Sequence, residues 1–273
     1  MQKRFFSTLF LWSTIIASLY FGGAWAGLAL LVGVNLLALM EFFEIFRKLE
    51  CVPYAKLAMV FSVALLIGTF IAPKCPLAFS GAFVGVALSA LAILGFRYVN
   101  DSQWVKNSFF PTLFGFLYIP YLLHFFVVLL KIVPDGKGLG LVVWVMAIAK
   151  FTDVGALLVG SWLGKHRMAP AISPKKSWEG AFGGVAVAIG VAFAGWHFGG
   201  QLLPNLFTPQ IIIIWAVVIA IVSIVSDLFE SLLKRWANVK DSGAKLPGIG
   251  GLLDLVDSLL FVAPVTYILY RFL

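Results

Sequence analysis

Residues 211–235 read IIIIWAVVIAIVSIVSDLFESLLKR. The first sixteen carry no charge, and then Asp227, Glu230, Ser231 and Lys234 follow at i, i+3, i+4 and i+7. A helix places those four on one face, beyond the end of an apolar rod. Bilayer hydrocarbon is crossed by about 20 apolar residues in a helix, so this stretch predicts a membrane span over about 210–228 with ionisable groups at its mouth. The rest of the chain agrees. Of 273 residues, 62% are hydrophobic and 12% charged, with a mean hydropathy of +1.02. A soluble domain is about a quarter charged, so a water-soluble globule, a disordered chain and a disulfide-stapled fold are all excluded.

Comparable stretches fall at about 5–23, 25–43, 54–73, 77–96, 108–130, 138–162, 178–199 and 252–270. The expected fold is therefore all-α and polytopic, with nine spans. The first two form one uncharged block, residues 5–40, split at Gly22-Gly23. With the N-terminus in the cytoplasm, fifteen Lys and Arg fall inside and only Lys74, Lys131, Lys137 and Arg271 fall outside, with Lys150 inside a span. That bias predicts an N-in, C-out topology. Lys3-Arg4, the apolar run and Ala24-Trp25-Ala26 also fit a cleavable signal peptide, whose removal leaves the remaining topology unchanged. Cys51 and Cys75 flank one span and so face opposite sides, which argues against a disulfide. The expected organisation is an N-terminal membrane region, 1–137, of about five spans, followed by a catalytic membrane region, 138–273. Every loop is short, so chemistry belongs in the membrane or at its cytoplasmic surface.

Polar residues gather in the second half. In the first half, Glu41, Glu44 and Asp101 read as solvated interfacial charges. Ionisable groups inside spans are costly and their default reading is functional. Lys150 and Asp153, three apart, share a helix face and can pair. The loop after that span holds Lys165, His166, Arg167, Ser173, Lys175, Lys176 and Ser177 before a helix with Gly180, Gly183 and Gly184. Hydroxyls, lysines and a helix N-terminus are the parts that hold a phosphate; an anchor on anionic lipid is the plainer reading. His166 has no second His or Cys at ligand spacing. Beyond Lys234 and Arg235 come Lys240-Asp241-Ser242-Gly243, Gly248, Gly250 and Gly251, and a helix opening with Asp254 and Asp257 on one face. A helical hairpin can set Asp227 opposite Asp254. Converging carboxylates need a cation, and oxygen-only donors suit Mg²⁺. Acids for Mg²⁺, bases for phosphate and a Gly-rich loop are the kit for phosphoryl or nucleotidyl transfer.

Two blocks resemble a known family in order and spacing. One is Ser231-Leu-Leu-Lys234-Arg235, Lys240-Asp241-Ser-Gly243, then Leu246-Pro247-Gly248-x-Gly250-Gly251-x-x-Asp254-x-x-Asp257. The other is Asp153-x-Gly155-Ala156, Gly160, Gly164-Lys165, then Ser173-Pro174-x-Lys176-Ser177-Trp178-Glu179-Gly180 and Gly183-Gly184. Together they resemble the signature of the phosphatidate cytidylyltransferases (CDP-diacylglycerol synthases) over roughly residues 150–265. The chain departs from it at Ile249, where the signature has His, at Leu255, where it has Arg, and at Leu157, commonly Tyr.

The resemblance implies that CTP and phosphatidic acid give CDP-diacylglycerol and diphosphate at the cytoplasmic face of the inner membrane. It implies Mg²⁺ held by Asp227 and Asp254, with Asp257 or Glu230 sharing a second cation. By the same resemblance Lys234, Arg235 and Lys240 are candidates to face the leaving diphosphate, and they join Asp241, Asp227, Asp254 and Asp257 in the catalytic set. Asp153, Ser173, Lys175, Lys176, Ser177, Ser231, Gly248, Gly250 and Gly251 are the expected substrate contacts. A homodimer is a family-level expectation, and Gly160-x-x-x-Gly164 is read as a weak self-association spacing; no nucleic-acid partner is expected. Two other readings are a CTP-dependent polyprenol or phytol kinase, built from the same kit, and a transporter or lipid-binding scaffold, although inverted repeats are not evident. The Asp-Gly-x-x-Ala-Arg motif of CDP-alcohol phosphotransferases is absent.

Overall fold

The computed structural model describes residues 2–72, 76–96, 102–239, 242–243 and 251–273. Its helices are α1 (Gln2–Arg47), α2 (Ala55–Ile71), α3 (Pro76–Phe96), the single turn α4 (Ser102–Trp104), α5 (Phe110–Tyr118), α6 (Pro120–Ile132), α7 (Gly138–Leu163), α8 (Trp178–Gly199), α9 (Pro209–Trp236), α10 (Leu252–Leu260) and α11 (Val262–Arg271). The expected break in the N-terminal block is present. Gly23 has φ 55° and ψ −140°, a backbone open to glycine and strained for other residues. The expected span at 108–130 is built in pieces. A π-turn, Val105–Phe109, leads into α5, and Pro120, which has no N–H to donate, starts α6.

Among the described residues, six helices are long and apolar enough to cross a bilayer, against the nine expected: Ala17–Arg47, Val105–Ile132, Gly138–Leu163, Trp178–Leu202, Pro209–Trp236 and Leu252–Arg271. The apolar helices Ala55–Ile71 and Pro76–Leu91 are shorter. At 1.5 Å per residue the 17 residues of α2 reach about 26 Å, short of the roughly 30 Å hydrocarbon core. One element is not helical. The segment expected as a loop between α7 and α8 holds an antiparallel pair, β1 (Arg167–Ala169) and β2 (Ser173–Ser177), with Arg167 opposite Ser177 and Ala169 opposite Ser173.

The chain forms two compact units, residues 1–128 with 236–256, and residues 129–235 with 257–273. In the first, Phe42 of α1 packs its ring against Phe43, Phe46, Phe114 and Tyr118, and Trp236 lies edge-on to Phe46 at 5.7 Å. Buried Asn35 donates to Ser62 at 3.0 Å, joining α1 to α2. The second unit is organised by close approach of α7 and α8. Lipid tails are as apolar as leucine, so helices in a membrane associate through tight packing and hydrogen bonds. A Cβ on Gly180 would sit 2.7 Å from the Ala156 carbonyl oxygen, and one on Gly184 would sit 2.8 Å from that of Thr152. A Cβ on Gly160 would meet the same contact, 3.4 Å from the Gly180 Cα. The glycines of Gly160-x-x-x-Gly164 thus take part in packing within the chain.

Candidate functional site

The second unit builds a polar site from four segments. α7 brings Lys150 and Asp153, the β-hairpin brings Arg167, Lys175 and Lys176, α9 brings Asp227, and α10 brings Asp257. The hairpin is fixed at its base. Ser177 is the N-cap of α8 and accepts from the Gly180 N–H at 3.2 Å, meeting one of the orphan donors of the first turn. Glu179, in that first turn, accepts from the backbone N–H of Lys165 and of His166, each at 3.2 Å, and pairs with His166 Nδ1 at 2.6 Å. His166 therefore closes the loop onto α8. Across the hairpin, Arg167 Nη1 donates to the Lys175 carbonyl at 3.3 Å.

These anchors surround a cavity of about 550 Å³ whose polar lining is Asp153, Ser161, Arg167, Lys175, Lys176, Ser177 and Asp227. Lys176 Nζ lies 2.6 Å from Asp227 Oδ2, with each side chain about a quarter exposed. Lys150 Nζ lies 3.7 Å from Asp153 Oδ2, as the spacing predicted, and donates to Ser258 Oγ at 2.6 Å. Asp257 is buried, accepts from the Ser258 N–H at 2.5 Å, and feels the charges of Asp227, Lys150 and Asp153. Its carbonyl accepts from Ser226, whose Oγ also takes the Phe261 N–H at 3.3 Å. The cavity lining thus carries both acids and bases, with Lys150, Asp257 and Ser258 outside that lining. Such a place suits a polyanion escorted by a hard cation.

The other expected residues fall differently. Ser231 donates to Asp227 Oδ1 at 3.4 Å, one helical turn away. Glu230 is fully buried and pairs with Lys234 at 2.6 Å, so that carboxylate is engaged within α9. Arg235 Nε donates to the Ile172 carbonyl at 3.1 Å, tying the end of α9 to the hairpin turn. Ser173 opens β2 and does not line the cavity. Asp254 belongs to the first unit, where its Oδ2 accepts from the Gly251 N–H at 3.2 Å. Lys240, Asp241, Gly248 and Gly250, with Ile249, lie outside the described residues, as do Asp101 and Cys75. Cys51 is a free thiol.

Among the described residues no three His, Cys, Asp or Glu side chains are gathered around one point that could hold an ion. Mg²⁺ does not require this, because it is commonly held by one or two carboxylates with substrate phosphates and water completing its octahedron. Asp227, which lines the cavity and whose partner Lys176 is part-exposed, and Asp257, buried within its electrostatic reach, fit that pattern, whereas Glu230 is fully buried and paired with Lys234.

One expectation is overturned. Glu41 is not a solvated interfacial charge; its side chain is 0% exposed, while Glu44, one turn on, is exposed as expected. Its partners, described below, lie more than 200 residues away, which no local pattern could announce. Arg167 and Ser258 also join the site without having been singled out as site residues. The hairpin that places Arg167 at the cavity is too short to leave a periodic signal.

A sequence profile of the cytidylyltransferase family matches residues 2–273. The chain is 33% identical over 293 residues to a phosphatidate cytidylyltransferase of Synechocystis sp., covering 92% of this chain and 90% of the relative. It is 32% identical over 252 residues to one of Staphylococcus aureus, covering 89% and 90%. A Bacillus subtilis protein of the same name is 36% identical over 190 residues, 67% of this chain and 66% of the relative. With the match running from one end of the chain to the other, the protein belongs to the cytidylyltransferase family.

Proposed function

We propose that this chain is a phosphatidate cytidylyltransferase. A phosphatidate oxygen attacks the α-phosphorus of CTP, the α–β phosphoanhydride bond breaks, and diphosphate leaves as CDP-diacylglycerol forms. The observation that carries this reading is the cavity in which Arg167, Lys175 and Lys176 face Asp153 and Asp227, in a chain whose full-length relatives bear that name. The attacking oxygen is already anionic near neutral pH, so no strong general base is required. Catalysis is then mostly positioning and charge neutralisation. Lys176 exchanges its Asp227 partner for a phosphate oxygen, Lys175 and Arg167 hold the remaining phosphate charge, and Lys150 keeps Asp153 in place. Asp227 and Asp257 would hold Mg²⁺, which supplies Lewis-acid neutralisation of the triphosphate.

The positive-inside excess supports nine spans running N-in to C-out, with this cavity at the cytoplasmic face of the inner membrane. A membrane-impermeant thiol reagent should then reach a cysteine at Lys175 from the cytoplasmic side alone.

The direct test uses the purified full chain in detergent micelles, with phosphatidate, Mg²⁺ and CTP labelled at its α-phosphate. Label passing into the lipid phase, with diphosphate released, is the expected result. Lipid phosphorylated from the γ-position, with the α-label left on CDP, would replace this reading with a lipid kinase. Substrate flux without CTP would replace it with a transporter.

A further inference from the structure

The N-terminal half carries one feature that the proposed chemistry does not use. Glu41 stands in α1 between buried Leu39 and Phe42, with its side chain wholly removed from solvent. A buried carboxylate is costly unless hydrogen-bonded or paired. Among the described residues no Lys, Arg or His forms an ion pair with it. Its Oε2 instead accepts from the Leu253 backbone N–H at 2.9 Å and from Ser242 Oγ at 3.3 Å. Among the described residues the other oxygen, Oε1, has no hydrogen-bond partner; it faces Gly243, where an added Cβ would lie 2.9 Å away. At Gly251 an added Cβ would lie 2.8 Å from Oε2. One carboxylate thus touches residues on both flanks of 244–250, and glycine at 243 and 251 leaves it room.

The contact has a specific local consequence. The first-turn N–H groups of a helix have no intrahelical acceptor, and an N-cap side chain normally supplies one. Here the residue preceding α10 is Gly251, which has no side chain. Asp254 reaches back to the Gly251 N–H, half of a capping box. Glu41 supplies the missing half from α1, on the N–H of Leu253. We propose that Glu41 is a positioning residue that fixes Gly251 and the start of α10, the helix bearing Asp254 and Asp257. The N-terminal region then contributes to activity as well as to anchoring. The activity part of this proposal rests on the cytidylyltransferase reading; the structural part does not.

The test is made on the full chain in detergent, comparing Glu41→Leu, which fills the space without an acceptor, with Glu41→Gln, which keeps one. In Glu41→Leu, hydrogen exchange in the peptide covering 251–256 should accelerate by roughly tenfold, the scale set by losing one helix cap. Its kcat should fall by at least about tenfold, as small misplacements of reacting groups do. Glu41→Gln should stay within about threefold of wild type on both measures, because its carbonyl oxygen still accepts from Leu253. Unchanged exchange at 251–256 in Glu41→Leu would overturn the proposal. So would loss of activity in Glu41→Gln equal to that in Glu41→Leu, since that would make the charge itself the requirement. Should Glu41→Leu fail to fold, Gly243→Ala, which crowds Oε1, is expected to accelerate the same peptide, and normal exchange there would refute the assignment. If the exchange results hold while wild-type protein makes no CDP-lipid, the functional reading fails and the positioning role stands.

Discussion

Replacing Lys176 by Met separates what the Lys176–Asp227 pair contributes to the fold from what it contributes to the reaction. The stem of the side chain is kept and only the ammonium is lost. Both partners are about a quarter exposed, so water screens the 2.6 Å contact. Ion pairs of that kind are worth about 0–1 kcal/mol. The thermal midpoint should therefore fall by less than about 4 °C in a chain of this size. The reaction is more sensitive. A hydrogen bond to a charged phosphate contributes about 1.5–3 kcal/mol, and tenfold corresponds to about 1.4 kcal/mol, so kcat/KM for CTP should fall roughly 10- to 150-fold. The assay is transfer of α-labelled CMP to phosphatidate in mixed micelles, with unfolding followed on the same preparation. The double variant Lys176→Met/Asp227→Asn should lose little more than the worse single variant, because both groups act on one bound phosphate. A kcat/KM within threefold of wild type, accompanied by a large drop in midpoint, would refute the reasoning. The pair would then be an anchor between the hairpin and α9.

Three further outcomes are expected. Asp257→Asn should reduce kcat more than tenfold with the elution profile unchanged, because a lost metal-binding carboxylate costs several kcal/mol of charge stabilisation; activity above about a tenth of wild type would remove Asp257 from the site. Gly184→Val should destabilise by about 1–3 kcal/mol through its clash with the Thr152 carbonyl, whereas Gly190→Val, with nothing within 4 Å of its Cβ, should leave the unfolding midpoint unchanged. EDTA should abolish transfer and Mg²⁺ restore it, whereas Zn²⁺ should not, given carboxylate donors without His or Cys at the site.

What the sequence made legible follows from the range over which each signal acts. The apolar run at 211–226 and the Asp227–Lys234 stripe are local in one helix, and α9 carries both as read. The Lys150–Asp153 pair is equally local, being one turn apart. The hairpin at 167–177 was not legible, since three- and five-residue strands of polar composition have no period to read. The span at 108–130 is present as Val105–Ile132 although Pro120 restarts its helix, whereas α2 is shorter than a full crossing.

Glycine and glutamate illustrate the same limit from opposite sides. Gly180 and Gly184 follow a loop of lysines and hydroxyls, so composition alone gives them to phosphate binding. In the fold their missing side chains are occupied by the Ala156 and Thr152 carbonyls of α7, and it is the lysines of the hairpin that line the cavity. Glu41 follows an apolar run, so composition gives it to the interface. In the fold it is buried, because acceptor-poor N–H groups 212 residues away need it. In both cases the residue type was informative and its partner was not. The partner decides whether a glycine serves a ligand or a helix, and whether a carboxylate serves solvent or a loop. For two of the three motif positions changed here, Ile249 and Leu255, the same reasoning shifts attention from the missing His and Arg to the cations that remain. Lys150, Arg167, Lys175 and Lys176 are each placed by contacts within the second unit.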